Sequence, residues 1–181
     1  RDTLATLEAA SNGEVDVLVL LGADLLADVP DGDLARRALA GAGTVIAIDL
    51  FVTENVASAD VVLPAAGPTE VDGTFTNLEG RVSQVTRKVT SPGTSRPDWM
   101  IAVDLADRLG VDLGFMSAAD IWAELTAVSA VHAGFSTAAI AADSTEGVVV
   151  TGGLALVRPE PTAIPARQPS ALRLIATRSM Y

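Results

Sequence analysis

The stretch from Ala59 to Val82, ADVVLPAAGPTEVDGTFTNLEGRV, constrains the fold of this chain more than any other. Val61, Val62 and Leu63 form a short apolar run that stops at Pro64, because proline has no N–H to give to a strand ladder. A continuous apolar run that ends this way is the pattern of a strand in a covered parallel sheet. The long loop behind it, punctuated by Gly, Pro and Asn, therefore leaves from the carboxyl edge of that sheet. Ligands of open α/β sheets sit at this edge, where loops are anchored by rigid strands and free to vary.

Two earlier runs repeat the pattern. Val15 to Leu21 (VDVLVLL) meets a tight turn at Gly22-Ala23-Asp24, and Thr44 to Leu50 is a second strand ahead of the third at Asp60 to Leu63. A helix with Asp31 or Asp33 as N-cap covers Leu34 to Leu39 and stops at Gly41 and Gly43, and a short helix spans roughly Thr53 to Ser58. Strand and helix in alternation imply right-handed crossovers and a parallel sheet. The expected fold is α/β, a Rossmann-like doubly wound parallel sheet with a helical extension and a short β/linker tail. Residues 1–14 read as a lead-in, 15–110 as the α/β domain and 111–145 as the helical extension. Residues 146–181 read as a β-hairpin, a Pro-rich linker and the start of a truncated β-rich domain.

Within that plan, Gly67 to Gly80 is a long loop with one extended stretch at Thr74 to Asn77, and Val82 to Val89 is a ribbon strand. Asn77, Glu79 and Arg81 form a polar cluster in which a Glu–Arg pair is expected to lock the loop, since loop backbone needs side-chain partners. The helix after Pro97 would bury Trp99, Val103, Ala106 and Leu109, with Asp104 and Arg108 paired on its surface. Ser117 and Asp120 have the spacing of a capping box, ahead of an apolar stripe at Ile121, Leu125 and Val128 that Gly134 ends. His132 falls near that helix's C-terminus, where a cationic imidazole is favourable. Val148 to Val150 and Leu154 to Val157 would form a hairpin around Thr151-Gly152-Gly153, and the prolines at 159, 161, 165 and 169 make Arg158 to Ser170 an extended linker.

Composition removes several function classes. A net charge of −11 and a pI near 4.3 oppose binding to phosphate backbones, so nucleic acid is not expected as a partner. No apolar run reaches the ~20 residues that span a bilayer, so no direct membrane insertion is expected. The chain has no cysteine and one histidine, which leaves no ligands for a Cys-bound iron–sulfur cluster and no means of assembling a His-based metal site or a Ser-His-Asp set. The hydrophobic share is 49% and the aromatic share 4%, so Ala, Val and Leu must pack the core through closely approaching elements.

The order ADVVLPAA, a Glu, GTFTN, EGR resembles the third domain of the molybdopterin-dependent oxidoreductases. Val45 to Asn55 (VIAIDLFVTEN) is similar to that family's strand ending in Asp followed by Phe-x-Thr-Glu, and Pro92 to Trp99 (PGTSRPDW) to its P-G-x-x-x-P-D-W helix entry. The resemblance covers about Val15 to Gly110. Leu172 to Arg178 resembles the opening of the family's last, β-rich domain, so the chain reads as a piece of a longer polypeptide. Formate dehydrogenases, periplasmic nitrate reductases and the large iron–sulfur subunit of NADH:quinone oxidoreductase (respiratory complex I) share these motifs.

The resemblance implies a site at the carboxyl edge. Gly22 and Asp24 open a turn whose backbone N–H groups can approach a pyrophosphate, or which is an ordinary strand-to-helix turn. Asp49 is placed to contact the nucleotide of a molybdopterin guanine dinucleotide, with Thr53 beside it, or the two residues cap helices. Asp98 matches the dinucleotide-touching Asp of P-D-W. Val71 stands where cofactor-bearing relatives often have Lys, and an isopropyl group has no donor to replace an ammonium. That departure directs the main expectation to a scaffold like the large iron–sulfur subunit of NADH:quinone oxidoreductase, serving electron transfer from NADH to quinone. It would be cytoplasmic, held at the inner face of the membrane by the other subunits of a respiratory complex, with no cofactor in this stretch and iron–sulfur clusters elsewhere in the parent. The alternatives are part of a molybdenum or tungsten bis-guanine-dinucleotide oxidoreductase of the formate dehydrogenase kind, or a free-standing nucleotide-binding module.

Overall fold

A computed structural model describes residues 2–142 and 147–149. Thr3–Ser11 forms helix α1, opened by Asp2, whose side chain accepts from Ala5 N. Strand β1 (Val17–Leu21) follows, then α2 (Leu25–Asp28), α3 (Gly32–Gly41), β2 (Thr44–Asp49), α4 (Glu54–Ala57) and β3 (Val61–Pro64). The strands lie in the order β1-β2-β3 and pair in parallel, with Val19 opposite Ile46 and Ile46 opposite Val61. The α/β class and the three strands stand as the apolar runs predict.

Alternation decides which face of the sheet is inside. Leu18, Leu20, Val45 and Ala47 are buried, while Val17, Val19 and Leu21 on the other face of β1 stay exposed. Residues 1–14 are not a lead-in, because α1 supplies Leu7 and Ala10 to the same core as Leu18, Leu20, Leu34, Ala35, Ala38 and Val45. Alanines on both helices let α1 and α3 approach closely, and Gly41 sits at the closest point. A Cβ built there would lie 2.4 Å from the carbonyl oxygen of Ala10. Gly41 is thus a helix-contact residue as well as the end of α3.

The rest of the described chain builds a second unit. Gly73–Thr76 (β4) and Arg81–Val85 (β5) form an antiparallel hairpin, and Val148–Val149 (β6) pairs with β5 on its other side. Helices α5 (Asp98–Arg108), α6 (Ala118–Val128) and α7 (Thr137–Ala142) follow the hairpin in the chain. Val82, Trp122 and Ile140 form the second core, so α6 and α7 of the extension pack on the hairpin. His132, just beyond the end of α6, ties the two together. Its ring stands edge-on to Trp122 at 5.7 Å, with Nδ1 2.8 Å from Ser129 Oγ and Nε2 3.2 Å from Thr76 Oγ1.

Helix faces differ in part from those expected: Leu125 packs on the second core and Trp99, Val103, Ala106 and Ile121 are half-buried, but the most buried residues are others. In α5 the buried residue is Ile101, and Leu109 is 82% exposed. In α6 it is Trp122, and Val128 is 75% exposed. Adjacent apolar residues such as Ile121 and Trp122 satisfy the helical period in two rotations, and the larger ring takes the core, where its indole N–H donates to Phe135 O over 2.9 Å. Asp104 pairs with Arg96 instead of Arg108, since the chain entering α5 passes beside it. The Ser117 cap of α6 forms as its spacing predicts. Asp120 completes it by accepting from Met116 N and Ser117 Oγ, and those bonds hold its pKa below the usual carboxylate value.

The Glu79–Arg81 pair forms at 3.1 Å, but its side chains are 72% and 36% exposed respectively, too open to lock anything. Asn77 closes the loop instead. Its Oδ1 accepts from both Glu79 N and Arg81 N at 2.9 Å, holding the β4–β5 turn from inside. The second arm of the expected tail hairpin, the linker from Arg158 to Ser170 and the strand at Leu172 to Arg178 lie outside the described residues.

Two mutational outcomes follow from these contacts. Gly41→Ala should destabilise by about 1–3 kcal/mol, because backbone rather than a yielding side chain meets the new methyl group, and equilibrium urea unfolding measures it. An unchanged midpoint would mean that α1 does not lie this close to α3. Asn77→Ala should lose about 1 kcal/mol or more and Glu79→Ala only a few tenths. The reverse order would restore the ion pair as the lock.

Candidate functional site

Because the three parallel strands are in register, their ends place three turns side by side: Gly22–Asp24, Asp49–Thr53 and Ala65–Ala66. Ala65 forms an isolated bridge with Arg96, and Ala66 N donates to Arg96 O over 2.9 Å. The bridge carries Pro97 and Asp98, at the start of α5, to the same edge.

Asp49 is the last residue of β2. Its Oδ1 accepts from Leu50 N at 2.6 Å and from Phe51 N at 3.2 Å, which fixes the carboxylate while Oδ2 has no partner among the described residues. Asp98 is held above its ordinary pKa of 3.8, first by partial burial and second by the negative charge of Asp49. Tertiary structure therefore brings these two expected site residues, 49 positions apart in the chain, within electrostatic reach. No salt-bridge cation answers either carboxylate among the described residues. Beside Asp98 opens a cavity of about 490 Å³, walled mainly by apolar residues that include Leu50, Phe75, Trp99 and Trp122.

The other expected site residues are engaged in building the turns. Gly22 adopts φ +56°, where any side chain would be strained, and a Cβ there would meet nothing within 4 Å. Its N–H donates to Ile48 O over 2.9 Å, so the first donor of the expected phosphate cradle already has a partner. Asp24 caps α2 through Ala27 N, and Thr53 caps α4 through Val56 N. Thr53 thus caps a helix, which is one of its two readings, whereas Asp49 bonds to the turn that follows it and caps none among the described residues. Val71 lines the cavity without a donor, and an adjoining cavity of about 580 Å³ has Val71 and Arg87 in its wall.

Two features of this edge have no clear mark in the sequence. Phe51 is 73% exposed just after Asp49, although apolar residues in a strand-end run read as core. Asn55 is buried completely in the first turn of α4, where an Asn reads as surface.

The sequence profile of the family described as "Molybdopterin oxidoreductase" matches residues 1–108. The chain belongs to the molybdopterin oxidoreductase family. It is 39% identical over 125 residues to the F420-dependent formate dehydrogenase 2 subunit alpha of Methanococcus maripaludis, covering 68% of this chain and 18% of that protein. It is 37% identical over 125 residues to the assimilatory nitrate reductase catalytic subunit of Bacillus subtilis, with the same coverage of 68% and 18%. The chain thus spans under a fifth of the length of these curated relatives. Among solved structures, the acetylene hydratase of Pelobacter acetylenicus superposes with a TM-score of 0.59 over 65% of this chain and 17% of its own, at 20% identity, which speaks for the fold. The relatives favour the formate-dehydrogenase-like alternative over the NADH:quinone oxidoreductase reading. No helix among the described residues is long and apolar enough to cross a membrane.

The carboxylate pair makes a pH-dependent prediction. A carboxyl whose folded pKa is raised contributes stability that is complete below its unfolded value and is lost as pH rises through the folded one. Ionised Asp98 therefore weakens the fold at neutral pH. Asp98→Asn should raise the melting temperature at pH 7, and the gain should vanish below about pH 3.8, where both side chains are neutral. An equal gain at pH 3 and pH 7 would show that charge is not the cause.

Proposed function

We propose that this chain is part of a molybdenum or tungsten bis-guanine-dinucleotide oxidoreductase of the formate dehydrogenase or nitrate reductase kind, and that its α/β edge holds the guanine end of the cofactor. The observation that carries the reading is that Asp49, oriented at the end of β2 by two backbone N–H groups, lies within electrostatic reach of Asp98. Two carboxylates without a cation repel each other, and a guanine edge, with its ring N–H and exocyclic NH₂, offers donors that both can accept. The backbone N–H groups of Leu50 and Phe51 keep Asp49 oriented, so little ordering is left to occur on binding.

The residues present fit the base end of the group. They fit its pyrophosphate less well, since Gly22 N–H is engaged and Val71 brings no charge. When bound, the metal–pterin group would supply the redox chemistry. This chain would bind and orient the nucleotide tail, the apolar cavity wall would exclude water beside it, and Asp98 would lose part of its electrostatic penalty to the donated protons. Partner subunits of a multi-subunit oxidoreductase belong to the same proposal, supported by relatives that are named as subunits.

Calorimetry with guanosine diphosphate as a truncated ligand tests this. Lacking a cation, the site should bind it weakly, with Kd near ~1 mM, about 4 kcal/mol. Adenosine diphosphate, whose base presents an acceptor where guanine presents a donor, should bind at least ~10-fold less tightly. Asp49→Ala should remove the preference, and Val71→Lys should tighten binding of guanosine diphosphate. Equal binding of the two nucleotides, or none by a folded chain, would overturn the reading.

A further inference from the structure

Asn55 is the only fully buried polar side chain among the described residues, and the capping of α4 does not use it, because Thr53 supplies the cap. Its Nδ2 donates to Ala23 O over 2.9 Å, a contact between residues 32 apart in the chain. A carbonyl can only accept, so that contact decides which way the amide points. Oδ1 is then turned into protein, where it has no partner among the described residues. A leucine of the same branching would remove the amide oxygen but leave Ala23 O without this donor, so the asparagine is kept for the bond across the two turns.

What the amide does is join two turns. Ala23 is the middle of the turn that ends β1, between Gly22 at φ +56° and the helix cap Asp24. Asn55 stands just behind the turn that ends β2. From α4 the bonding continues inward: Thr53 N donates to Phe51 O at 3.1 Å, and Phe51 N donates to Asp49 Oδ1 at 3.2 Å. One bond thus joins Ala23 to Asn55 at the start of α4, and two more join the residues just before α4 to the carboxylate of Asp49, alongside the Gly22 N to Ile48 O bond.

We infer that Asn55 is a positioning residue: by holding the Ala23 carbonyl it sets the spacing between the β1-end and β2-end turns, and so the crevice presented to a guanine nucleotide. The spacing role stands on the geometry. The final step toward the nucleotide rests on the function proposed above.

Amide hydrogen exchange followed by NMR on the whole chain tests both parts. In the unmodified protein the Asn55 side-chain NH₂ should exchange at least ~100-fold slower than a free asparagine amide. Rapid exchange would overturn the clamp even if no variant folded. Asn55→Leu should keep the melting temperature within a few degrees, while protection of Gly22 N–H falls at least ~10-fold and that of Ala47 N–H in the sheet is unchanged. Unaltered Gly22 protection in a folded Asn55→Leu protein would overturn the clamp. Affinity for guanosine diphosphate should fall ~5–10-fold in the same variant. Lost protection with undiminished affinity would overturn the positioning role. If the unmodified chain binds no guanosine diphosphate, the nucleotide reading fails together with that role, and exchange still decides the clamp.

Discussion

Register in the parallel ladder of β1, β2 and β3 is the constraint on which the rest depends. A shift of one residue in any strand would exchange its buried and exposed faces; in β1 it would move Leu18 and Leu20 out of the core and Val17, Val19 and Leu21 into it. The same register aligns the places where the strands stop. Gly22 turns the chain at one end, Asp49 closes the next strand, and Pro64 ends the third ladder. Three loops emerge together for that reason, and at this edge Asp98 comes within electrostatic reach of Asp49.

Polar groups left without partners among the described residues gather at this edge. The core behind it consists of leucines, alanines and a valine, with α1 and α3 approaching to backbone contact at Gly41. The edge, by contrast, holds two carboxylates with no cation to answer them and an amide oxygen with no partner among the described residues. Strain and uncompensated charge concentrate where proteins bind ligands, because groups arranged for a ligand are not fully satisfied by each other. The proposal for the guanine end of the cofactor draws on that imbalance more than on any single motif.

The second unit works differently. Its hairpin is closed by Asn77 and its core centres on Trp122, so it depends on a few large or bidentate contacts where the α/β unit depends on many small ones. Trp122 also walls the cavity beside Asp98, and Trp99 at the start of α5 joins it. The extension therefore takes part in shaping the candidate site, which a boundary drawn near residue 110 would hide.

Much of this was legible in the amino-acid order. Continuous apolar runs ended by Gly, Asp or Pro mark the three strands, since a proline cannot extend a ladder, although one face of β1 and most of β3 are exposed among the described residues, unlike the covered sheet those runs predict. Asp31, Thr53 and Ser117 mark helix starts, because a short oxygen-bearing side chain before an apolar stretch satisfies the free N–H groups of a first turn. Ordered motifs from Val45 to Trp99 resemble the family to which the chain belongs. Helix rotation was not legible, as the choice between Ile121 and Trp122 depends on a carbonyl at Phe135 that local spacing does not reveal. Nor was the packing role of α1, whose few small apolar residues acquire meaning only against α3. The sequence by itself determined the strands, their parallel order and the edge at which a ligand would sit, because these follow from local hydrogen-bonding capacity and hydrophobic period. Only the tertiary structure decided which side chains share that edge: Asp98 coming within electrostatic reach of Asp49, and Asn55 reaching Ala23, join residues distant in the chain, and no local preference encodes them.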